Sequence, residues 1–98
     1  MILFIIKSKR KNAKIYVLLD ENKNYILSFG DNRYEDYTMH KDADRKDRYL
    51  SRHGKEDHTK NNVKSAAFMS AHLLWNKETL QASIRDVNKR FNINLKII

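Results

Sequence analysis

The strongest constraint on the fold is an apolar run, Ile-Leu-Phe-Ile-Ile, at residues 2–6. The run is rich in β-branched and aromatic side chains and has no polar residue at alternate positions. It therefore predicts an interior β-strand that is covered on both faces. Because Lys7 follows at once, the run is too short for a membrane span or for the apolar part of a signal peptide. We expect neither a membrane anchor nor export.

Two further strands are predicted before residue 31. Ile15, Val17 and Leu19 share one face of a strand over residues 15–19, and residues 25–29 form a third apolar run. The connection between these two runs contains Asp and Asn, whose side chains bond to nearby backbone groups in turns. Connections this short join antiparallel neighbours, since a parallel crossover needs a dozen or more residues. The segment 1–30 is thus predicted to be a three-stranded antiparallel meander.

Residues 31–62 are highly charged and are predicted to contain one helix. Residues 42–53 suit a helix because acids precede bases by four residues, as Asp42 precedes Lys46. Gly54 is a suitable residue just after the end of this helix. The segment has few large apolar side chains, so we expect its helix to lie outside the core.

A second helix is predicted at the start of the last third of the chain, residues 63–98. It covers residues 63–74, where small side chains permit close approach to a neighbouring element. Asn61 or Asn62 is a suitable N-cap for it, because an Asn side chain accepts from the free N–H groups of the first turn. Trp75 is expected to end it.

A third helix and a last strand complete the expected fold. The helix covers residues 77–91, with Asn76 as its N-cap. Residues 93–97 alternate strictly and predict an edge strand with one wet face. The fold class is therefore α+β in one small basic domain, residues 1–98. The helical stripe that packs on the sheet comprises Leu80, Ile84, Val87 and Phe91.

The composition excludes several kinds of active site. The chain has no Cys, which removes disulfides, thiolate zinc sites and cysteine nucleophiles. There is no glycine-rich phosphate loop, and no serine lies in a Gly-x-Ser-x-Gly elbow. Four His are present, but no His-x₃-His pair suited to a metal occurs. We therefore predict a non-enzymatic protein with no catalytic residue, cofactor, metal or small-molecule substrate.

The charge of the chain is strongly positive. It has 20 Lys and Arg against 12 Asp and Glu, a formal net charge of +8. Cations grouped in the first hairpin loop and on the last helix can contact the phosphates of a nucleic acid or another anionic surface. A solvated loop without any ligand is the alternative. The candidate contacts are Lys7, Lys9, Arg10, Lys11, Lys14, Lys89 and Arg90.

Aromatic and arginine side chains form a second candidate set. Such side chains dominate the energetic centres of protein interfaces. Tyr34 and Tyr37, on an exposed loop, could instead stack on bases. Burial is the alternative interpretation, in which Trp75 packs between the helices and the sheet. The candidate interface residues are Tyr34, Tyr37, Arg48, Arg52 and Trp75.

Two motifs carry a family resemblance: Tyr-x-x-Arg-His at residues 49–53 and Leu-Leu-Trp-Asn-Lys at residues 73–77. With them, over roughly residues 25–91, the chain resembles a small uncharacterised protein family of large eukaryotic DNA viruses, the giant viruses. This chain has Ala43 where that family often has Pro. The resemblance implies a viral source, and it identifies no site.

Two functions remain open at this point. Small basic proteins of such viruses commonly serve as minor capsid or internal virion components, or they contact packaged DNA. The first hypothesis is a structural protein of the virion that binds other viral structural proteins; during assembly it would lie in the host cytoplasm or the viral factory. The second is a nonspecific nucleic-acid-binding protein that contacts phosphates through its basic hairpin and C-terminal helix.

Overall fold

The computed structural model describes residues 1–8, 14–31, 35–53 and 63–98. These residues form an α+β fold, as the sequence predicts, and their sheet has four strands. The apolar run near the N-terminus forms an interior strand of this sheet. The order in the sheet is β3-β2-β1-β4, with the strands β1 (Ile2–Lys7), β2 (Lys14–Leu19), β3 (Tyr25–Asp31) and β4 (Asn94–Ile97).

The first three strands form the predicted antiparallel meander. Phe4 pairs with Leu19 and Ile6 pairs with Val17 across β1 and β2, while Val17 pairs with Ser28 across β2 and β3. The fourth strand pairs with β1 in parallel, which makes the sheet mixed. The parallel pairing is possible because all the helices intervene between β1 and β4 and provide the long connection that it needs.

The turn between β2 and β3 has the expected Asp and Asn chemistry. The Asp20 Oδ1 atom accepts hydrogen bonds from the backbone N–H groups of Asn22 and Asn24, both at 2.9 Å. Lys23 adopts a left-handed backbone with φ of 64°. A β-bulge at the end of β2 shifts the register with β3. The bulge interrupts the alternation of side chains along β3. Neighbouring side chains therefore lie on the same side of this strand.

The described residues after the meander form four helices: α1 (Tyr37–His40), α2 (Ala43–Arg52), α3 (Ala66–Met69), which continues into a π-helical segment (Ser70–Leu74), and α4 (Leu80–Phe91). Helix α2 confirms the prediction, and its N-cap is Asp42, whose side chain accepts from two N–H groups of the first turn. Helix α1 was not expected; Asp36 caps this single turn. Gly54, which is predicted to follow the end of this helix, lies outside the described residues.

The predicted start of the second long helix is wrong. Helix α3 begins at Ala66 because Ser65 is its N-cap, and the Ser65 Oγ atom accepts a backbone N–H of the first turn at 3.1 Å. The caps expected at Asn61 and Asn62 fall outside the described residues and precede the observed start. Trp75 ends the π-helical segment, as predicted.

The predicted cap of the last helix is also wrong. Helix α4 begins at Leu80, because Thr79 is in an extended conformation and its Oγ1 atom accepts a first-turn N–H at 3.1 Å. Asn76 has a different partner, since its Nδ2 atom donates to Asp86 Oδ2 at 2.7 Å. The side chain expected to start the helix therefore ties the preceding segment to the middle of the helix.

The core lies between the sheet and the helices α3 and α4. The apolar stripe of α4 is confirmed, since Ile84 and Val87 are buried and Leu80 and Phe91 pack against the same cluster. Helix α2 has no buried residue, so it lies on the outside. Within the described ranges, no helix is long and apolar enough to cross a membrane. The sheet contributes Leu3, Ile5, Leu18, Phe29 and Leu95 to the core.

The helices cover only one face of β1. Leu3 and Ile5 are buried in the core, whereas Phe4 and Ile6 on the opposite face are half-buried and Ile2 is exposed. The buried apolar side chains of the helices, apart from Ala71, belong to the core cluster that contains Leu3 and Ile5. The prediction that both faces of this strand are covered is therefore wrong for the part of the chain that the structure describes.

Strand β4 confirms the predicted edge strand with one wet face. Asn94 N–H donates to Met1 O at 3.0 Å and Ile98 N–H donates to Ile5 O at 3.1 Å, so the backbone groups of alternate residues face β1. The backbone N–H and C=O groups of Leu95 face away from β1, while its side chain is buried in the core. The Asn88 side chain bonds to these outward-facing groups: its Oδ1 atom accepts from Leu95 N at 2.8 Å, and its Nδ2 atom donates to Leu95 O at 3.2 Å. A side-chain amide thus takes the place of a neighbouring strand at the edge.

Candidate partner-binding cleft beside Trp75

A stack of rings joins α2 to the end of the π-helical segment. The rings of Tyr49 and Trp75 are nearly parallel, with centroids 4.2 Å apart and an interplanar angle of 3°. His53 lies beside Tyr49 at 4.3 Å, and His40 lies beside Trp75 at 5.2 Å. We call these four residues the ring stack. Each contact of this type contributes about 0.5–1.5 kcal/mol beyond the apolar area that it buries.

Lys46 makes the second connection between α2 and the rest of the chain. Its Nζ atom donates to the backbone oxygen of Asn76 at 2.6 Å and lies 5.0 Å from the centroid of the Tyr37 ring. A charged donor to a carbonyl is among the stronger hydrogen bonds in proteins. Because α2 has no buried residue, Lys46 and the ring stack are the principal described contacts that fix its position.

A cleft of about 540 Å³ lies on one side of Trp75. Its apolar surface is provided by Phe29, Leu74, Tyr49 and Trp75. Its polar surface carries charges of both signs, and one pair, Arg45 and Glu35, is joined at 3.6 Å. The volume lies within the range of ligand pockets. The charged or titratable side chains that line it are Lys14, Asp31, Glu35, Asp36, Arg45, Arg52 and His53.

Asp36 is the buried carboxylate of the cleft. It is 5% exposed, and its Oδ1 atom accepts from Thr38 N at 2.9 Å, which caps α1. Its charge also acts on Tyr16: burial of the phenol, and secondly the negative charge of Asp36, raise the pKa of Tyr16. Asp36 therefore places one buried carboxylate in the wall of the cleft.

A smaller groove of about 330 Å³ lies on the other side of Trp75. Arg90 borders it, donating to Asp86 Oδ2 at 2.8 Å and lying 3.0 Å from His72 Nδ1. Partial burial raises the pKa of Asp86, but hydrogen bonds from Asn76 and Arg90 outweigh that effect, so the pKa is lowered overall. The positive charge of Arg90 is therefore already paired within the chain.

The structure places the described members of the predicted phosphate contacts in two separate groups. Lys7 and Lys14 are exposed at one end of the sheet, where β1 ends and β2 begins. Lys89 and Arg90 lie at the end of α4, just before β4 enters the sheet beside Ile2. The two groups are thus separated by the length of β1, about 17 Å at 3.3 Å per residue. Lys9, Arg10 and Lys11 fall outside the described residues.

The predicted interface residues are only partly assembled in the cleft. Trp75 and Arg52 line it, Tyr37 is half-buried beneath Lys46, and Arg48 is exposed on α2 outside the lining. Tyr34 falls outside the described residues. Trp75 does pack against the core cluster, but it stacks on α2 and stays half-buried, unlike the expected position between helices and sheet.

The sequence analysis named Arg52 as an interface residue but missed Arg45 and Tyr49, which line the cleft with it on α2. Arg45, Tyr49 and Arg52 follow the spacing i, i+4, i+7, which places them on one face of a helix. This spacing was visible in the sequence, but it was not recognised because the helix was considered only for its ion pairs. Across the described ranges, no group of three or more His, Asp or Glu residues is arranged to hold a metal ion.

A comparison with known proteins adds one family. The sequence model of a family of unknown function, DUF5754, matches residues 4–53, about half of the chain. The match spans the β-meander, α1 and α2, and it includes Tyr49 and Arg52 of the cleft. No curated protein and no solved structure matches the chain. The chain belongs to the DUF5754 family of unknown function.

Proposed function

We propose that this protein is a non-enzymatic structural component of a virus particle, a minor capsid protein or an internal component, that binds a protein partner in the cleft beside Trp75. The observation that carries the proposal is the cleft itself, where an aromatic floor is bordered by arginines on a helix with no buried residue. Aromatic and arginine side chains around a concave site are typical of the energetic centre of a protein interface.

The mixed charge of the cleft favours a protein over a polyanion. Asp31, Glu35 and Asp36 line the cleft together with the cations, and a phosphate chain would be repelled by them. A polypeptide presents both donors and acceptors, so it can satisfy charges of both signs. The partner in this proposal is therefore another structural protein of the particle.

The viral setting of the proposal depends on the resemblance of residues 49–53 and 73–77 to a family of large eukaryotic DNA viruses. In that setting the protein lies in the virion, and during assembly it lies in the host cytoplasm or the viral factory. Quantitative mass spectrometry of purified particles should find the protein in a fixed ratio to the major structural proteins. Its absence from the particles would refute this setting.

Photo-crosslinking tests the cleft. A photoreactive amino acid in place of Arg52 should produce one dominant crosslinked protein from assembling particles, because Arg52 borders the cleft. The matched control places the same group at Glu78, which is exposed and does not line the cleft. Crosslinks of equal yield and identity from both positions would contradict binding in the cleft.

A second candidate function is nonspecific binding of packaged DNA. The specific observation in its favour is that Lys7 and Lys14 are exposed at the same end of the sheet, with three further cations between them in the sequence. Five phosphate contacts predict a loss of about 10²–10³ in affinity between about 50 and 200 mM salt. Replacing Lys7 and Lys14 by Glu should flatten this dependence, whereas binding that is unaffected by salt would exclude the function.

A further inference from the structure

The face of the sheet opposite the helices carries an apolar patch that the cleft does not use. Phe4 and Ile6 on β1 pair directly with Leu19 and Val17 on β2, so the four side chains share this face. Tyr25 pairs with Leu19 beyond the β-bulge, and its OH group lies 3.2 Å from Ser28 Oγ on the same face. We call this surface the back patch; it comprises Ile2, Phe4, Ile6, Val17, Leu19 and Tyr25.

Much of the back patch is accessible to another molecule. Ile2 is 39% exposed and Tyr25 is 66% exposed, while Phe4, Ile6 and Val17 are half-buried. Leu19 is buried, and none of the six belongs to the core cluster that the helices cover. Exposed apolar groups gathered on one face mark an interaction surface more often than singly scattered ones do.

The rest of the chain offers little to cover this face. The residues outside the described ranges are 9–13, 32–34 and 54–62, and their side chains are charged or polar except for Ala13, Tyr34 and Gly54. A continuous apolar strand such as β1 is typical of sheets with both faces covered. The described residues leave this face of β1 without a second cover, so another molecule can bind there.

The charges around the back patch indicate the chemistry of that molecule. Lys23 lies over the Phe4 ring, with Nζ 5.6 Å from the ring centroid. Lys96, on β4, is the cross-strand neighbour of Phe4. No acidic side chain of the described strands shares this face. Asp20 and Glu21 lie in the turn that also contains Lys23, and Asp20 Oδ1 accepts from backbone N–H groups of that turn. A second copy of the chain would bring lysines against lysines, whereas an acidic partner would neutralise them.

We propose that the back patch binds an acidic amphipathic segment of another protein, with apolar side chains against β1 and β2 and carboxylates beside Lys23 and Lys96. This surface is separate from the cleft, and the proposal does not depend on the function proposed for the cleft. Apolar contact provides the affinity, and the two lysines select an acidic partner over a basic one.

The test uses the protein labelled with ¹⁵N and a synthetic amphipathic helix that has leucine on one face and glutamate on the other. We expect the amide signals of β1 and β2 to shift on titration, with those of α2 unchanged. A peptide with lysine in place of glutamate should bind at least about tenfold more weakly. Equal binding of the two peptides, or shifts confined to α2 and Trp75, would overturn the proposal.

Charge-reversal variants avoid the risk of unfolding the sheet. Lys23 and Lys96 are both exposed, so Lys23→Glu with Lys96→Glu should leave the fold intact and weaken peptide binding by about tenfold. The matched control is Lys64→Glu with Lys77→Glu, which changes the net charge equally at two exposed positions away from this face. Tyr25→Ser, at the most exposed residue of the patch, should weaken binding about fivefold.

Two other occupants would overturn the proposal. Sedimentation that shows a dimer, dissociated by Tyr25→Ser, would identify the occupant as a second copy. Vesicles of phosphatidylcholine and phosphatidylserine provide the other comparison. If flotation shows that the protein binds them more strongly than it binds the acidic peptide, the occupant is an anionic lipid surface. Peptide binding that is lost in Lys23→Glu with Lys96→Glu and retained in the control establishes an acidic protein segment.

Discussion

Replacing Asn88 by Ala should destabilise the protein through the edge of the sheet, although Asn88 itself lies on a helix. The side chain makes two hydrogen bonds to Leu95, one to its N–H group at 2.8 Å and one to its carbonyl at 3.2 Å. Leu95 is 2% exposed, so both backbone groups lose their partner where water has little access. Each buried group left without a partner costs about 1–3 kcal/mol.

The net effect is smaller than the sum of these two costs. Ala has a better helix propensity than Asn by about 0.5 kcal/mol, and the edge position lets water reach part of β4. We therefore expect a loss of about 2 kcal/mol in the free energy of unfolding. In a domain of this size that corresponds to a fall of roughly 8–16 °C in Tm.

Urea unfolding followed by circular dichroism measures the free energy, and hydrogen exchange at the Leu95 amide measures the local effect. Asn88→Asp is the informative companion, because it retains an acceptor for the Leu95 N–H group but cannot donate to the carbonyl. The control is Asn94→Ala, at an exposed position of the same strand. If Asn88→Ala costs less than about 0.5 kcal/mol, or if the exchange rate of the Leu95 amide is unchanged, the reasoning is refuted.

Three further outcomes follow from the structure. Gly30→Ala should cost about 1–3 kcal/mol by urea unfolding, because φ is +80° and a Cβ atom would lie 2.9 Å from Leu74 Cδ1. A double-mutant cycle of Tyr49→Ala and Trp75→Ala should give a coupling energy of about 1 kcal/mol. A coupling energy near zero would show that the two stacked rings do not stabilise each other. The pKa of Asp86 is lowered in the folded state, so its stabilisation is present above an unfolded pKa of about 3.9 and is lost as pH falls through the folded value. The difference in unfolding free energy between the wild type and Asp86→Asn should therefore shrink on acidification from about pH 6 to about pH 2; a difference independent of pH would contradict this.

The sequence was most informative where one physical pattern dominates. The alternation and short connections of residues 1–30 determine an antiparallel meander, and the stripe that includes Ile84 and Val87 determines how α4 packs. Helix starts were less predictable because several capping residues compete. Asn is the stronger N-cap by residue type, yet Thr79 caps the helix because the Asn76 amide is bonded to Asp86 instead.

The candidate site was less predictable than the fold for a similar reason. Its α2 face could be deduced, since Arg45, Tyr49 and Arg52 share one side of the helix. The partner of that face could not, because Trp75 is far along the chain and its apolar character suited burial in the core equally well. The described cations fall into two groups for a topological reason. Because β4 pairs with β1 in parallel, Lys89 and Arg90 at the end of α4 lie near the start of β1, whereas Lys7 and Lys14 lie at its other end.

The two proposed binding surfaces differ in how firmly their elements are held. The position of α2 depends mainly on one stacked ring pair and the Lys46 hydrogen bond, which together contribute about 2–4 kcal/mol. Strands β1 and β2 pair along their length and carry the core, so they open only with the whole domain, at about 5–10 kcal/mol. A partner in the cleft should therefore slow amide exchange in α2 far more than in β1, because it adds its binding energy to the weakly held element. A partner on the back patch contacts strands that open only globally, so it should slow exchange throughout the core. The pattern of exchange thus distinguishes the two surfaces without knowledge of the partner.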